Sequence, residues 1–307
     1  MTSKLHLSAS PHIHSGRSTS KIMRDVIIAL IPTTIAGCVI FGLRSLAVIV
    51  TCILTCVLSE FLFGLAVKKP LTIKDLSAVV TGLLLALNLP ANIPLWQAAV
   101  GSIFAIVIVK CIFGGIGKNL VNPAITARVF MLISFGTMVK PAFPKADTVS
   151  SATPLSIENG GSIEIIDLLI GNHGGAIGEV CAIALLIGGI YLVCRKVITW
   201  HVPVVFIGGV FVFSFLFGGF DVMFSLEQIL AGGLFIGAIF MATDYVTSPS
   251  SSWGKVIFAV GAAFLTVAIR LWANYPEGVS FAILLMNILN PYIESIPSRK
   301  LFGGKKA

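Results

Sequence analysis

Runs of apolar residues recur along this 307-residue chain, separated by short polar breaks, and most are close to the roughly 20 residues that a helix needs to cross a bilayer core of about 30 Å. Ten such segments are expected to be spans: 22–41, 46–67, 76–94, 95–113, 123–139, 176–193, 202–218, 226–242, 256–272 and 279–293. Little chain is left for a water-soluble domain. The pattern predicts an all-α integral membrane protein.

One polar interval is long, from Pro141 to Gly178, and it contains Asp147-Thr148-Val149-Ser150-Ser151-Ala152-Thr153-Pro154-Leu155. Pro154 disfavours helix at the residue before it, so Thr153 is expected in an extended or turn conformation, as an exposed modification site would be. The chain then divides into an N-terminal arm with a first five-span half (1–139), an extracytoplasmic loop (140–177), and a second five-span half with a short basic tail (178–307).

Two similarities suggest a repeat. Leu76 to Gly82 (LSAVVTG) aligns with Leu226 to Gly232 (LEQILAG), and each segment leads into a break, Asn88 to Pro94 in one and Thr243 to Pro249 in the other. Asn122-Pro123 and Asn290-Pro291 follow at corresponding places. Five spans is an odd number, so the second half would enter the membrane from the opposite side. Paired, interrupted helices in inverted halves point to a site near the midplane.

Composition agrees with the pattern. The chain is 56% hydrophobic and 11% charged, with mean hydropathy +0.99, against about 25% charged for soluble domains. With both termini in the cytoplasm, seventeen of the 21 Lys and Arg fall inside, Lys110 and Arg128 among them, and Arg44, Lys140, Lys145 and Arg270 fall outside. The net charge of +8 is thus a topology signal and gives no support for nucleic-acid binding. No removable signal peptide is expected from the basic N-terminus. The six Cys lie in or beside apolar segments and read as packed residues, and His12, His14, His173 and His201 have no partners at metal-ligand spacing.

Three places could carry chemistry. The Gly-rich run Gly114 to Arg128 holds Asn119, Asn122 as a helix cap, Pro123 in the first turn, and Arg128. Its helix start suits an anion or the edge of a ring system, and equally a plain cytoplasmic turn. Thr243 and Asp244, in Met241 to Pro249, put a carboxylate among hydroxyls, where it caps a helix or meets an ion or a flavin. Glu60, inside a span, snorkels, pairs or handles ions. There is no nucleophile elbow and no dinucleotide-binding glycine pattern, so redox chemistry would need a bound cofactor.

The runs GGIGKNLVNPAITARVF and MATDYVTSP, with SSATPL in the polar loop, resemble the NqrB/RnfD family, membrane subunits of ion-translocating NADH:quinone and ferredoxin:NAD oxidoreductases. Chain length and the short arm resemble the RnfD branch. The resemblance implies FMN joined by a phosphodiester to the last Thr of a Ser/Thr-Gly-Ala-Thr motif, here Ser150-Ser151-Ala152-Thr153. The implied acceptor is Thr153, with Ser150, Ser151 and Thr148 as other hydroxyls and Ser151 standing where Gly is usual. A second, non-covalent flavin such as riboflavin occurs in the NqrB branch and is left open here.

The resemblance further implies coupling of ferredoxin:NAD electron transfer to Na⁺ or H⁺ movement and a place in the bacterial cytoplasmic membrane. The implied partners are the other Rnf subunits, including an RnfG-like subunit with covalent FMN and RnfA- and RnfE-like iron–sulfur subunits, together with a flavin transferase for maturation and membrane lipid. Two inverted halves with broken helices also describe a solute channel of urea-transporter type. A scaffold subunit is the third class.

Overall fold

The computed structural model describes residues 18–68, 73–136, 142, 168–169, 171, 173–273 and 277–295. Thr148, Ser150, Ser151 and Thr153 lie outside the described residues, as does most of the expected loop. Among the described residues the structure is helical, with one isolated antiparallel bridge between Ala142 and Gly175.

Helices occupy all ten apolar segments. They are α1 (Thr19–Phe41), α2 (Leu43–Val67), α3 (Ser77–Leu87), α4 (Leu95–Ile103), α5 (Pro123–Ser134), α6 (Ala182–Cys194), α7 (His201–Phe217), α8 (Val222–Leu230), α9 (Leu234–Ile236), α10 (Ser252–Trp272) and α11 (Gly278–Ser295). α4 continues as a π-helical stretch, Phe104–Cys111, and α9 as another, Gly237–Met241. By length and hydropathy α1, α2 and α10 can each cross a membrane, and α8 with α9 and its π stretch forms a further candidate bent by 64°.

Local chemistry sets the boundaries. Gly42, at φ +73°, both ends α1 and begins α2, so two long helices are joined through one residue. The side chains of Ser18, Asn122, Asp221 and Ser251 accept backbone N–H bonds at the starts of α1, α5, α8 and α10.

The segment expected as a single span at 226–242 is instead broken at Ala231–Gly233. Gly232 takes φ +74°, and a side chain on Gly233 would meet Glu179 Oε1 at 2.7 Å. The carbonyls freed by this break need partners in a dry interior. Arg270, in the last turn of α10, donates to the carbonyls of Gln228 (2.6 Å) and Ala231 (3.3 Å). The charge count treats Arg270 as a loop residue, whereas the fold buries it against a helix end, where a cation complements the dipole.

α3 stops early, at Leu87, and the chain next to the long loop satisfies its end: Gly178 N–H donates to the Leu87 carbonyl (2.7 Å) and Ile177 N–H to that of Leu89 (3.0 Å). α3 packs between α2 and α5, α1 against α6, α5 against α11, and α10 against α7 and α11. Small residues permit the close crossings. Gly188 faces the Ala29 carbonyl between α6 and α1, and Gly82 faces the α2 backbone at Cys52 and Ile53. The outside stays apolar, with Val39, Leu43, Leu54 and Ile190 more than half exposed, while Arg128, Lys110 and Glu60 are inside. That is the polarity a lipid solvent selects.

Candidate functional site

A cleft of about 420 Å³ opens where α1, α3, the start of α5 and the chain after α9 converge. Its walls include Met23 and Val26 from α1, Thr81 and Leu84 from α3, and Phe240. Four residues singled out in the sequence, Asn119, Asn122, Thr243 and Asp244, line it together. Two motifs more than a hundred residues apart therefore share one wall.

The tie between them is polar. Asn122 Oδ1 accepts the backbone N–H groups of Ala124 (3.0 Å) and Ile125 (3.3 Å), which makes it the cap of α5. Asn122 Nδ2 donates to the Met241 carbonyl at 3.4 Å. With its amide oriented to satisfy both neighbours, Asn287 of α11 donates to the Thr247 carbonyl at 3.1 Å and accepts from the Asn122 N–H at 3.3 Å.

Thr243 Oγ1 donates back to the Ile239 carbonyl at 2.6 Å. Asp244 accepts from Thr247 Oγ1 at 3.1 Å, and its carbonyl accepts from the Ser248 N–H at 3.1 Å, so it organises the turn after the π stretch while facing the cleft. Burial pushes its carboxyl above the usual range, against the opposing pull of hydrogen bonds from the Thr247 hydroxyl and the backbone N–H groups of Val246 and Tyr245. Asn119 supplies the open chemistry: its Oδ1 is shut off from solvent and has no hydrogen-bond partner among the described residues. A buried acceptor of this kind suits a ligand N–H.

Arg128 is not among the residues that line this cleft. It lies inside α5, 2% exposed, where Nη2 donates to Glu179 Oε1 at 2.5 Å and also to Glu277, and Nη1 donates to Asn88. It therefore joins the end of α3 to the chain leading into α6 and α11. The charge count assigns Arg128 to the cytoplasmic surface because it follows a Gly-rich turn. The helix begins at Pro123, as expected, and carries Arg128 inward, where Glu179 and Glu277 compensate its charge. Glu179, Glu277 and Asn287 were not singled out from sequence, and Asn88 was named there only as the start of a break. The available signal was a carboxylate or amide at the edge of an apolar segment in a chain with only 13 acidic residues.

Glu60 pairs. Lys110, on the π stretch after α4, donates to Glu60 Oε1 (3.0 Å) and Oε2 (3.1 Å) and to Ser77 Oγ (2.6 Å). Lys110 also reaches the wall of the cleft. The expected pairing of Glu60 is thus present. Among the described residues no group of His, Cys, Asp and Glu is arranged to hold a metal ion.

Helices at every apolar segment, interrupted where polar side chains converge on a cleft, define a membrane protein with several apolar spans. Comparison with known proteins gives the family. The profile of the NQR2, RnfD, RnfE family matches residues 6–303, and the chain belongs to that family. It is 44% identical over 310 residues to the D subunit of the Na⁺-translocating ferredoxin:NAD⁺ oxidoreductase complex of Acetobacterium woodii, covering 98% of this chain and 96% of the relative. It is 40% identical to the D subunit of the proton-translocating ferredoxin:NAD⁺ oxidoreductase complex of Clostridium ljungdahlii, with the same coverage. Identity to the D subunit of the ion-translocating oxidoreductase complex of Marinobacter nauticus is 34%, covering 97% of this chain and 95% of the relative.

Proposed function

We propose that this chain is the RnfD-type membrane subunit of an Rnf ion-translocating ferredoxin:NAD oxidoreductase complex, that it carries FMN on Thr153, and that it takes part in coupling electron transfer to Na⁺ or H⁺ translocation. The observation that carries the reading is similarity over nearly the whole chain to the D subunits of such complexes. Those two relatives are named for different ions, and the proposal leaves the ion as either. The shared naming favours the redox reading over the solute channel.

FMN supplies electron-transfer chemistry when bound. Thr153 would hold it through a phosphodiester to the side-chain oxygen, on an extracytoplasmic loop between two inverted five-span halves. Support for that arrangement comes from helices in all ten apolar segments and from a π-helical stretch in each half. A second, non-covalent flavin is assigned to the cleft. Its volume of about 420 Å³ falls within the range of roughly 300–1,000 Å³ for small-molecule sites. The partnerless Asn119 Oδ1 would accept an N–H from the ring edge, and Phe240, Leu84 and Val26 would exclude water.

Peptide mass analysis of the Met131 to Glu158 region tests the covalent site. An FMN-sized addition is expected on Thr153 in protein matured with a flavin transferase. An unmodified peptide, or addition on Thr148, Ser150 or Ser151, overturns the assignment.

A further inference from the structure

The ammonium of Lys110 makes three hydrogen bonds in the interior, and two of them go to its counter-ion, Glu60. The third goes to Ser77 Oγ, at the start of α3, at 2.6 Å. Ser77 in turn donates its hydroxyl hydrogen to Asp75 Oδ1, also at 2.6 Å, and the Ser77 N–H holds the same oxygen at 2.9 Å. Asp75 ends a short 3₁₀ turn, Ile73–Asp75, beside the exposed Lys74, and is itself half-buried. Glu60, Lys110, Ser77 and Asp75 thus form one unbroken hydrogen-bonded chain from the interior of α2 to a surface turn.

The chain has a direction and a place. An ammonium only donates and an ionised carboxylate only accepts, so the Ser77 hydroxyl accepts from Lys110 and donates to Asp75. Its two middle members, Lys110 and Ser77, both line the cleft. Every link falls within the reach for proton transfer between side chains. Lys110 stands on the π-helical stretch Phe104–Cys111, and π turns inside α-helices occur frequently at functional sites.

The surroundings leave Lys110 as the outlet. Toward it α2 presents Glu60 and, one turn earlier, the Cys56 thiol, while the turn before α3 presents Asp75 through Ser77. Arg128, on α5, is engaged by Glu179 and Glu277. Two charged residues line the cleft among those described, Lys110 and Asp244. The hydrogen bonds of Asp244 close on its own turn, at Thr247 and the backbone of Tyr245 and Val246, and lead nowhere.

We infer that Lys110, Ser77 and Asp75 are a proton relay between the cleft and the aqueous surface, serving a redox ring bound in the cleft, with Glu60 as the positioning residue that holds Lys110 in line. The inference rests on the reading of the cleft as a flavin site. As the ring takes two electrons from the electron-transfer chain of the complex, a Lys110 N–H bond breaks and a ring N–H bond forms. The Lys110 amine regains a proton from the Ser77 hydroxyl, Ser77 from the Asp75 carboxyl, and Asp75 from water. On oxidation of the ring the same path runs outward, the direction in which the hydrogen bonds already point.

The test uses the full chain, produced without flavin transferase, placed in nanodiscs and loaded with riboflavin as the probe. Fluorescence quenching reads riboflavin binding, and absorbance reads the rate of its reduction by dithionite in H₂O and in D₂O. Wild type should be reduced more slowly in D₂O, a comparison that needs no variant. Ser77→Val and Ser77→Thr have nearly the same shape and differ by the hydroxyl. Both should bind riboflavin, with Ser77→Val reduced at least about tenfold more slowly and Ser77→Thr within about twofold of wild type. Lys110→Met with Glu60→Gln, which leaves no uncompensated charge, should slow reduction as Ser77→Val does, and added methylamine should restore part of the rate. A chain that binds no riboflavin overturns the reading of the cleft and the relay with it. Riboflavin bound throughout, with equal rates in Ser77→Val and Ser77→Thr or equal wild-type rates in H₂O and D₂O, overturns the relay and leaves the reading of the cleft standing.

Discussion

The side-chain amide of Asn122 donates to the carbonyl of Met241 at 3.4 Å, joining the first turn of α5 to the end of the π stretch across 119 residues of chain. One amide thus caps a helix with its oxygen and ties a second motif with its nitrogen. Substitutions can separate the two roles. Asn122→Ala loses both and is expected to cost about 1 kcal/mol for the cap alone. Asn122→Asp keeps the capping oxygen and loses the donor. Thermal unfolding should show the first variant clearly below wild type and the second closer to it, whereas both should release the non-covalent flavin proposed for the cleft. Full flavin retention in both would separate this contact from the cleft's function.

Arg128 is compensated in the interior by the buried Glu179 and at its edge by the half-buried Glu277. Arg128→Met leaves Glu179 buried without its cation, and removal of one partner from a buried pair costs about 3–5 kcal/mol. Little folded complex should survive size-exclusion chromatography. Gly233→Ala is expected to act on the same pair, since the added methyl lies 2.7 Å from Glu179 Oε1 and 3.1 Å from Arg128 Nη1.

The Glu60–Lys110 pair gives a sharper contrast. Lys110→Met should destabilise by about 3–5 kcal/mol, and Glu60→Gln added to it should recover most of that loss, because the double variant has no uncompensated charge. Chemical or thermal unfolding of the four proteins of the cycle measures the coupling. Absence of recovery would mean that Lys110 serves mainly through Ser77.

Glu277 confers a pH dependence. Burial pushes its carboxyl up to about 7 from an ordinary 4.5, against the pull of Arg128. Between those two values the native chain keeps a proton that the unfolded chain has released, so stability falls as pH rises through this window and levels off above about 7. The melting temperature of wild type should decline over that range, and Glu277→Gln should flatten the decline.

Thr153→Ala should abolish ultraviolet fluorescence of the band at about 32 kDa on a denaturing gel. Ser151→Gly, which restores the residue usual in the motif, should keep it. Fluorescence persisting in Thr153→Ala would move the attachment to a neighbouring hydroxyl.

Apolar periodicity was enough to locate every described helix-bearing segment, because a chain dissolved in lipid must write its spans as long apolar runs. The cap at Asn122 and the breaks near Asn88 and Asp244 were legible for a similar reason: turn chemistry is local. The break at Ala231–Gly233 was not, since two glycines in an apolar run are compatible with a straight helix. What bends the chain there is contact with Glu179 and Arg128 and the Arg270 side chain on the freed carbonyls. For a related reason, counting charges could not show that Lys110 and Arg128 are buried: a loop cation and a buried cation look alike until the carboxylate opposite is known.

The sequence by itself therefore determined the solvent, the helix-bearing segments, the family and the residues Asn119, Asn122, Thr243 and Asp244 as candidates, all of which follow from local composition and motif. Only the tertiary structure decided that Asn119, Asn122, Thr243 and Asp244 share a cleft while Arg128 stands apart in an ion-paired core. That division depends on distances between residues far apart in the chain, and it is set by which buried charge finds which counter-charge in a medium without water.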